Sequence, residues 1–244
     1  MNHLLNYTGH RTAPLPAYPW MMYQKWEDLL SLHIPVDPEA LRSHVPKELE
    51  LDVYGGKAWI SIFPFLIRDL RFRNMPRFPY FHKFLELNVR TYVKHKGIPG
   101  VYFFSLDAEK MVPVLGARSV TLPYHKAKMK RVEKHGWTHY SSRRQHADKA
   151  YFEARYKTLT SAAPADEETL DHWLFERYRL YKTICGTVIH IAIHHLKWKI
   201  ADVSVDYNPE SINSLLPGNI EGKPAAAHYS SVLDVIFWPP VISE

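Results

Sequence analysis

The chain has 244 residues, 46% apolar and 14% aromatic, which excludes disorder and suffices for one sizeable β-rich core. A formal net charge of +6 admits an anionic partner without selecting nucleic acid or a small molecule. The single cysteine, Cys185, rules out an internal disulfide and fits a reducing compartment. No apolar run approaches the roughly 20 residues of a membrane helix, and Met1–Trp20 lacks the apolar core of a signal peptide. A soluble, cytoplasmic protein with no membrane partner is expected.

Residues 1–23, rich in Pro and Tyr and without periodicity, read as an irregular N-terminal arm. Trp26–Val36 reads as a strand, with Leu30, Leu32 and Ile34 alternating with Ser31, His33 and Pro35. Asp37-Pro38-Glu39 opens a short helix that ends before Pro46, with Asp37 as N-cap and Pro38 where a missing N–H does no harm. Leu49–Val53 and Lys57–Ile67 read as a hairpin turning at Tyr54-Gly55-Gly56, where glycine supplies the positive φ. Arg68–Lys83 breaks the alternation. It sets Arg68, Arg71, Arg73 and Arg77 among Phe72, Pro76, Phe78, Pro79, Tyr80 and Phe81, the composition of a lid, a binding loop or a solvated surface loop.

Phe84–Met129 carries the strictest alternation and most of the oddly placed polar groups. Leu85, Leu87, Val89, Thr91 and Val93 share one strand face, and Glu86, Asn88, Arg90 and Tyr92 the other. An acid, an amide and a guanidinium at successive positions of one face can form a hydrogen-bonded row inside a cavity, or can face water. After turn signals at Lys96-Gly97 and Pro99-Gly100, Val101–Asp107 has large residues on both faces, as in a strand covered on both sides. Ala117–Met129 follows with Arg118, Tyr124, His125, Lys126 and Lys128, so three strands can bring Glu86, Arg90, Asp107, Arg118 and a lysine together.

Farther on, Lys130–Glu133 and Trp137–Arg144 flank a His135-Gly136 turn, and Ala150–Leu159 alternates as the next strand before Thr160–Pro164 breaks the sheet. Asp166 or Thr169 opens a helix with the stripe Leu170, Trp173, Leu174 and Tyr178. Tyr178–Thr183 and Thr187–His195 form a hairpin around Ile184-Cys185-Gly186. Asp202–Tyr207 is a strand, Pro209–Leu216 a short helix and Tyr229–Trp238 a closing strand. No repeat, low-complexity tract or linker interrupts the chain, so 1–244 reads as one domain.

The run ELNVRTYV, GVYFFSLDA and LPYHKAKM, continued by ERYRLY at Glu176–Tyr181, IHHLKW at Ile193–Trp198 and HYSSVLDVIFW at His228–Trp238, resembles the YqjF-like family of uncharacterised proteins. The likeness covers nearly the whole chain. It implies an acetoacetate decarboxylase-like fold: a mainly β, α+β protein with an antiparallel closed cone or barrel around a small pocket and a few short helices. The family name supplies no reaction. Decarboxylases of that fold use a stretch similar to G-R-E followed by G-Y-P-K-K, which falls here on Gly116-Ala117-Arg118 and Leu122-Pro-Tyr-His-Lys126, with Glu86 near one acidic position. The tandem lysines thus fall on His125-Lys126, so the nucleophile is either replaced by His125 or kept one residue along as Lys126, and Schiff-base decarboxylation is not claimed. A lysine nucleophile must be neutral, which at pH 7 an ordinary lysine is in only about one molecule in two thousand.

The candidate site follows from these residues. Glu86, His125 and Lys126 are the candidate catalytic groups; Arg90, Arg118, Tyr124 and Asn88 are the candidate substrate contacts. Arg90 and Arg118 can hold a carboxylate through paired N–H donors, while Glu86 or His125 exchanges a proton with a neighbouring carbon or hydroxyl. Neighbours on a strand face opposite ways, so only one of His125 and Lys126 looks into a pocket, and Lys126, Lys128 and Lys130 also fit a solvated ladder. Glu86 and Arg90 equally fit cross-strand pairs that stiffen the barrel. No cofactor is expected, since no phosphate-binding glycine loop occurs. Nor is a metal, because His190 and His194 would lie roughly 13 Å apart on a strand. Three readings remain: an enzyme acting on a small oxo- or hydroxy-carboxylate by acid–base chemistry, a non-catalytic binder or sensor of a small anionic molecule, and a basic nucleic-acid-associated protein, which the absence of recognition motifs disfavours. Homo-oligomerisation is left open.

Overall fold

The computed structural model describes residues 2–77, 79–80, 82–110, 122–145 and 150–243. Its strands are β1 (Met22–Val36), β2 (Glu50–Leu51), β3 (Ala58–Phe72), β4 (Lys83–His95), β5 (Ile98–Ala108), β6 (Tyr124–Lys134), β7 (Trp137–Arg144), β8 (Tyr151–Thr158), β9 (Ala163–Pro164), β10 (Arg179–Ile184), β11 (Thr187–His194), β12 (Lys199–Tyr207), β13 (Ala226–Phe237) and β14 (Val241–Ile242). Four short helices join them: α1 (Asn2–Asn6), α2 (Pro38–Arg42), α3 (Leu170–Phe175) and α4 (Pro209–Asn213). Asp37, Thr169 and Asn208 cap α2, α3 and α4, each accepting a backbone N–H of the first turn with its side chain. No described helix is long and apolar enough to cross a membrane.

Pairing closes the sheet twice. One ring of nine strands runs β5-β6-β7-β8-β12-β13-β1-β3-β4 and returns to β5; the pairs β10–β5 and β11–β13 close a second ring of seven strands. The rings share the wall β13-β1-β3-β4-β5. Pairing is antiparallel except where β5 meets β6 and β10. A shared wall has a core on each face, which is why β3 and β4 are buried on both sides over most of their length. Trp26, Phe63, Phe65, Phe84, Tyr92 and Phe103 pack with Leu174, Phe175, Leu180 and Ile193 in the seven-strand ring. Leu30, Leu32, Ile62, Leu85, Leu87 and Val89 pack with Ala127, Met129, Tyr140 and Phe152 in the nine-strand ring.

Two irregularities decide which residues look into which ring. Asp28, at φ 53°, interrupts the β1–β3 register, so Trp26 faces the seven-strand ring before it while Leu30 and Leu32 face the nine-strand ring after it. His33 is thereby turned to the seven-strand side. A register shift after Val89 leaves Phe104 unpaired opposite β4, turning Leu106 and Ala108 inward with Val101 and Phe103 and leaving Asp107 on the other face.

The turn at Gly55 and Gly56 forms with φ of 59° and 74°, but the expected hairpin does not: β2 pairs with β4, and only the Tyr54–Lys57 bridge spans the turn. Strand β3 also runs farther than expected, taking in Arg68 and Arg71. The arginines of the expected lid are engaged by the protein itself. Arg68 pairs with Glu27, Arg77 with Asp69 at 3.2 Å, and Arg71 and Arg73 lie over Tyr23 and Trp20. Phe78 and Phe81 lie outside the described residues. The N-terminal arm docks through Leu4, Leu5, Leu15 and Trp20 against Tyr23, Ala192, Ile236 and Trp238.

Candidate functional site

The alternation of β4 places Glu86, Asn88, Arg90 and Tyr92 on its seven-strand face, all of them buried. The Tyr124 hydroxyl, at the start of β6, donates to Glu86 Oε2 at 3.3 Å, and the Asn88 side chain also bonds that carboxyl. Burial raises the Glu86 pKa to about 8, with these two bonds opposing the rise and Asp107 adding to it. Glu86 therefore keeps its proton at neutral pH. Burial, and then Glu86 itself, pushes the Tyr124 phenol well above its ordinary value, so Tyr124 stays a donor. From the nine-strand side the Tyr140 hydroxyl donates to the Glu86 carbonyl oxygen at 2.9 Å, fixing the backbone there.

Two residues along, the Arg90 guanidinium lies over the Phe63 ring, 4.1 Å from its centroid, and donates from Nη2 to the Leu174 carbonyl at 3.3 Å. Its Nε, like Asn88 Oδ1, is buried without a partner among the described residues. Burial lowers the Arg90 pKa, against a contribution from Tyr92. Among the described residues no carboxylate pairs with Arg90, whereas the neighbouring buried guanidinium, Arg177, is held by Asp52 at 2.5 Å. Helix α3 covers this end of the ring, with Leu174 and Phe175 in its core and Trp173 tilted against Tyr92, their ring centroids 4.7 Å apart.

The other expected site residues divide. Leu106 and Ala108, which face the seven-strand ring, pair with Tyr124 and Lys126, so Lys126 shares the face of Tyr124. Its Nζ donates to the backbone carbonyl of Glu109. His125 pairs with Asp107 and falls on the opposite face, with Ala127 and Met129, so the fold does not bring it to Glu86. Asp107 bonds Arg144 at 2.7 Å on that side. Arg118, with Gly116 and Ala117, lies outside the described residues. His190 bonds the Ser243 hydroxyl and His194 the Leu4 carbonyl. Among the described residues no cluster of three or more His, Cys, Asp or Glu could hold a metal ion.

Sequence reasoning did not single out His33 and Ser61, the register neighbours of Arg90 on the same wall. The register runs His33 to Ser61 to Arg90 across β1, β3 and β4. His33 Nδ1 lies 2.7 Å from Ser61 Oγ, which lies 2.6 Å from the Tyr92 hydroxyl. Phe175 and His228 flank His33 at 5.3 and 5.4 Å between ring centroids, and His228 Nε2 reaches Asp171 at 3.2 Å. Burial, then His228 and Arg90, holds His33 well below the usual imidazole range, so it is neutral. The available signal was a histidine opposite the Leu30, Leu32 and Ile34 face, but only the register shows that this second face is also core.

Two rings on a shared wall, with a few short helices, give the chain an acetoacetate decarboxylase-like fold. The chain is similar to an acetoacetate decarboxylase-like enzyme from Sphingomonas wittichii RW1, at 12% identity over 96% of this chain and 98% of that one, with TM-score 0.61. It is similar also to acetoacetate decarboxylase from Legionella pneumophila, at 16% identity over 98% and 94%, with TM-score 0.58. A third likeness is to the enduracididine biosynthesis enzyme MppR complexed with pyruvate, at 12% identity over 95% and 93%, with TM-score 0.58. Identities this low show the fold alone. The sequence is 41% identical to uncharacterized protein YqjF of Bacillus subtilis strain 168 over 230 residues, 94% of this chain and 95% of that one. The model of the DUF2071 family of uncharacterized conserved proteins matches residues 23–234, and the chain belongs to that family.

Proposed function

We propose that the protein is an enzyme that binds a small oxo- or hydroxy-carboxylate inside the seven-strand ring and acts on it by acid–base chemistry of the lyase, hydratase or isomerase kind. The observation that carries this reading is a buried carboxyl, bonded by the Tyr124 hydroxyl, four residues from a buried guanidinium that no described carboxylate neutralises. Arg90 takes the substrate carboxylate through charge-assisted N–H bonds. Glu86 exchanges a proton with the adjacent carbon or oxygen, and its pKa near the working pH lets it act in either direction. Tyr124 stabilises the carboxylate form when it appears. That a solved neighbour of this fold is complexed with pyruvate agrees in substrate size and charge.

The test is titration with a panel of small oxo and hydroxy acids at pH 7, followed by NMR in deuterated water. Saturable binding and deuterium uptake beside the carbonyl, lost in Glu86→Gln, are the expected results. Binding without uptake or any other turnover would make the protein a small-molecule binder, and no binding at all would remove the reading.

A further inference from the structure

The hydrogen bonds around His33 have a direction. The Tyr92 hydroxyl bonds Ser61 Oγ and lies near the Arg90 guanidinium, a cation that disfavours a proton turned toward it. The Tyr92 proton therefore points to Ser61 Oγ and the Ser61 proton to His33 Nδ1, which assigns the proton of this neutral imidazole to Nε2. His33 Nε2 is fully buried and has no partner among the described residues. Beside the same aromatic rings, Arg90 Nε and the indole Nε1 of Trp198 share that condition, and Arg177 Nη2 does so beside Tyr92.

His33, Arg90 and Trp198 surround one pair of rings. Arg90 lies 4.1 Å above Phe63, whose centroid is 5.7 Å from that of His33 and 6.2 Å from that of Trp198. Phe175 is 5.3 Å from His33 and 5.1 Å from Trp198. A buried donor left without an acceptor carries the full cost of its lost hydration, so three of them gathered on one pair of rings, one on a cation, call for oxygen acceptors. The neighbouring imidazole supplies no remedy, because His228 Nδ1 is itself without a partner among the described residues.

We propose that Arg90 Nε–H, His33 Nε2–H and Trp198 Nε1–H form a three-donor cradle that selects 2-oxo acids over plain carboxylates. The inference rests on the reading of the site given above and names its substrate class. A 2-oxo acid offers three coplanar oxygens, one for each donor, whereas a plain carboxylate has lone pairs enough but only two oxygens, so two donors must share one. The same donors stabilise negative charge that develops on the carbonyl oxygen when Glu86 acts on the neighbouring carbon.

Calorimetric titration with pyruvate and with propionate tests this in the intact chain. Pyruvate should bind the wild type more tightly than propionate. Trp198→Phe, which keeps an aromatic ring but removes the donor, should weaken pyruvate about ten-fold and erase most of its advantage over propionate. His33→Phe should do the same, and His33→Gln, which returns an N–H near Nε2, should recover most of the affinity. Should His33→Phe fail to fold, Trp198→Phe and nitrogen-15 NMR of His33 still decide. A His33 proton on Nδ1, or unchanged pyruvate affinity in either donor-deleting variant, overturns the cradle. If Arg90→Met still abolishes binding in that case, the carboxylate site stands and the other donors serve buried water only. Failure of the wild type to bind either acid overturns both the cradle and the reading beneath it.

Discussion

On one side of the shared wall, the nine-strand ring is filled by leucine, isoleucine, valine and aromatic side chains, and its strongest polar groups have partners: the Tyr140 hydroxyl bonds two carbonyls, and Asp107 and Arg144 pair with each other. On the other, the seven-strand ring holds a protonated glutamic acid, a guanidinium without a described counter-ion, a neutral histidine and an indole, several with polar atoms that no described residue completes. The Ser105 and Ser142 hydroxyls also lack described partners, but neither carries charge. Closing a sheet twice lets one ring supply stability while the other keeps polar groups open to a ligand, as a binding site requires.

The largest effect on stability is expected in the nine-strand ring. Phe152→Ala there removes a fully buried ring from close packing, and chemical denaturation should show a loss of about 3–5 kcal/mol with ligand affinity unchanged in the folded fraction. A comparable loss of affinity would show that the rings are not independent. Next in size is the pH response of Glu86. Its folded pKa, near 8, lies above the unfolded value near 4.5, so ionisation is costlier in the folded state. Stability should fall by about 1.4 kcal/mol per pH unit between roughly pH 4.5 and 8, and level off above that. Glu86→Gln removes this titration, so its melting temperature should gain on the wild type across that window. Parallel pH profiles for the two proteins would place the titration elsewhere.

Arg90→Met should act in the opposite sense to Phe152→Ala. Affinity for small oxo acids should drop about 100-fold, the cost of a charge-assisted bond of nearly 3 kcal/mol, while unfolding free energy stays level or rises because a buried, unpaired cation is removed. Loss of both would mean that Arg90 stiffens the sheet rather than holding a ligand.

Much of this arrangement was legible in the sequence. Two-residue alternation in Leu85–Val93 gave the row Glu86, Asn88, Arg90 and Tyr92, and Asp37-Pro38 and Thr169 gave their helix starts, because both signals are local. What was not legible depends on register. Asp28 and the extra residue at Phe104 each reverse which face looks inward, and nothing in composition marks them as bulges. Residues 50 and 51 find β4 rather than β3, a choice made by sheet closure and not by the glycine turn. His33 meets Ser61 and Phe175 only once three strands and α3 are in place. The arginine-rich connection suggested a lid because arginine patterns do not reveal partners such as Glu27 and Asp69.

The smallest effect is expected at Lys126, and it is the most direct check on which chemistry the smaller ring performs. Lys126 shares the face of Tyr124, so it is placed where an amine could reach a bound oxo acid. Its Nζ is instead engaged with the Glu109 carbonyl, a bond that an ammonium makes as donor and that attack on a carbonyl would have to give up. Lys126→Met should therefore cost no more than about 1 kcal/mol of stability and change oxo-acid affinity by less than about three-fold. Borohydride added with pyruvate should leave the intact mass unchanged under conditions that trap a control Schiff-base enzyme. An adduct mapped to Lys126 would reverse the assignment: the amine would be the nucleophile, and Glu86 would protonate the intermediate formed on it rather than act on the substrate directly.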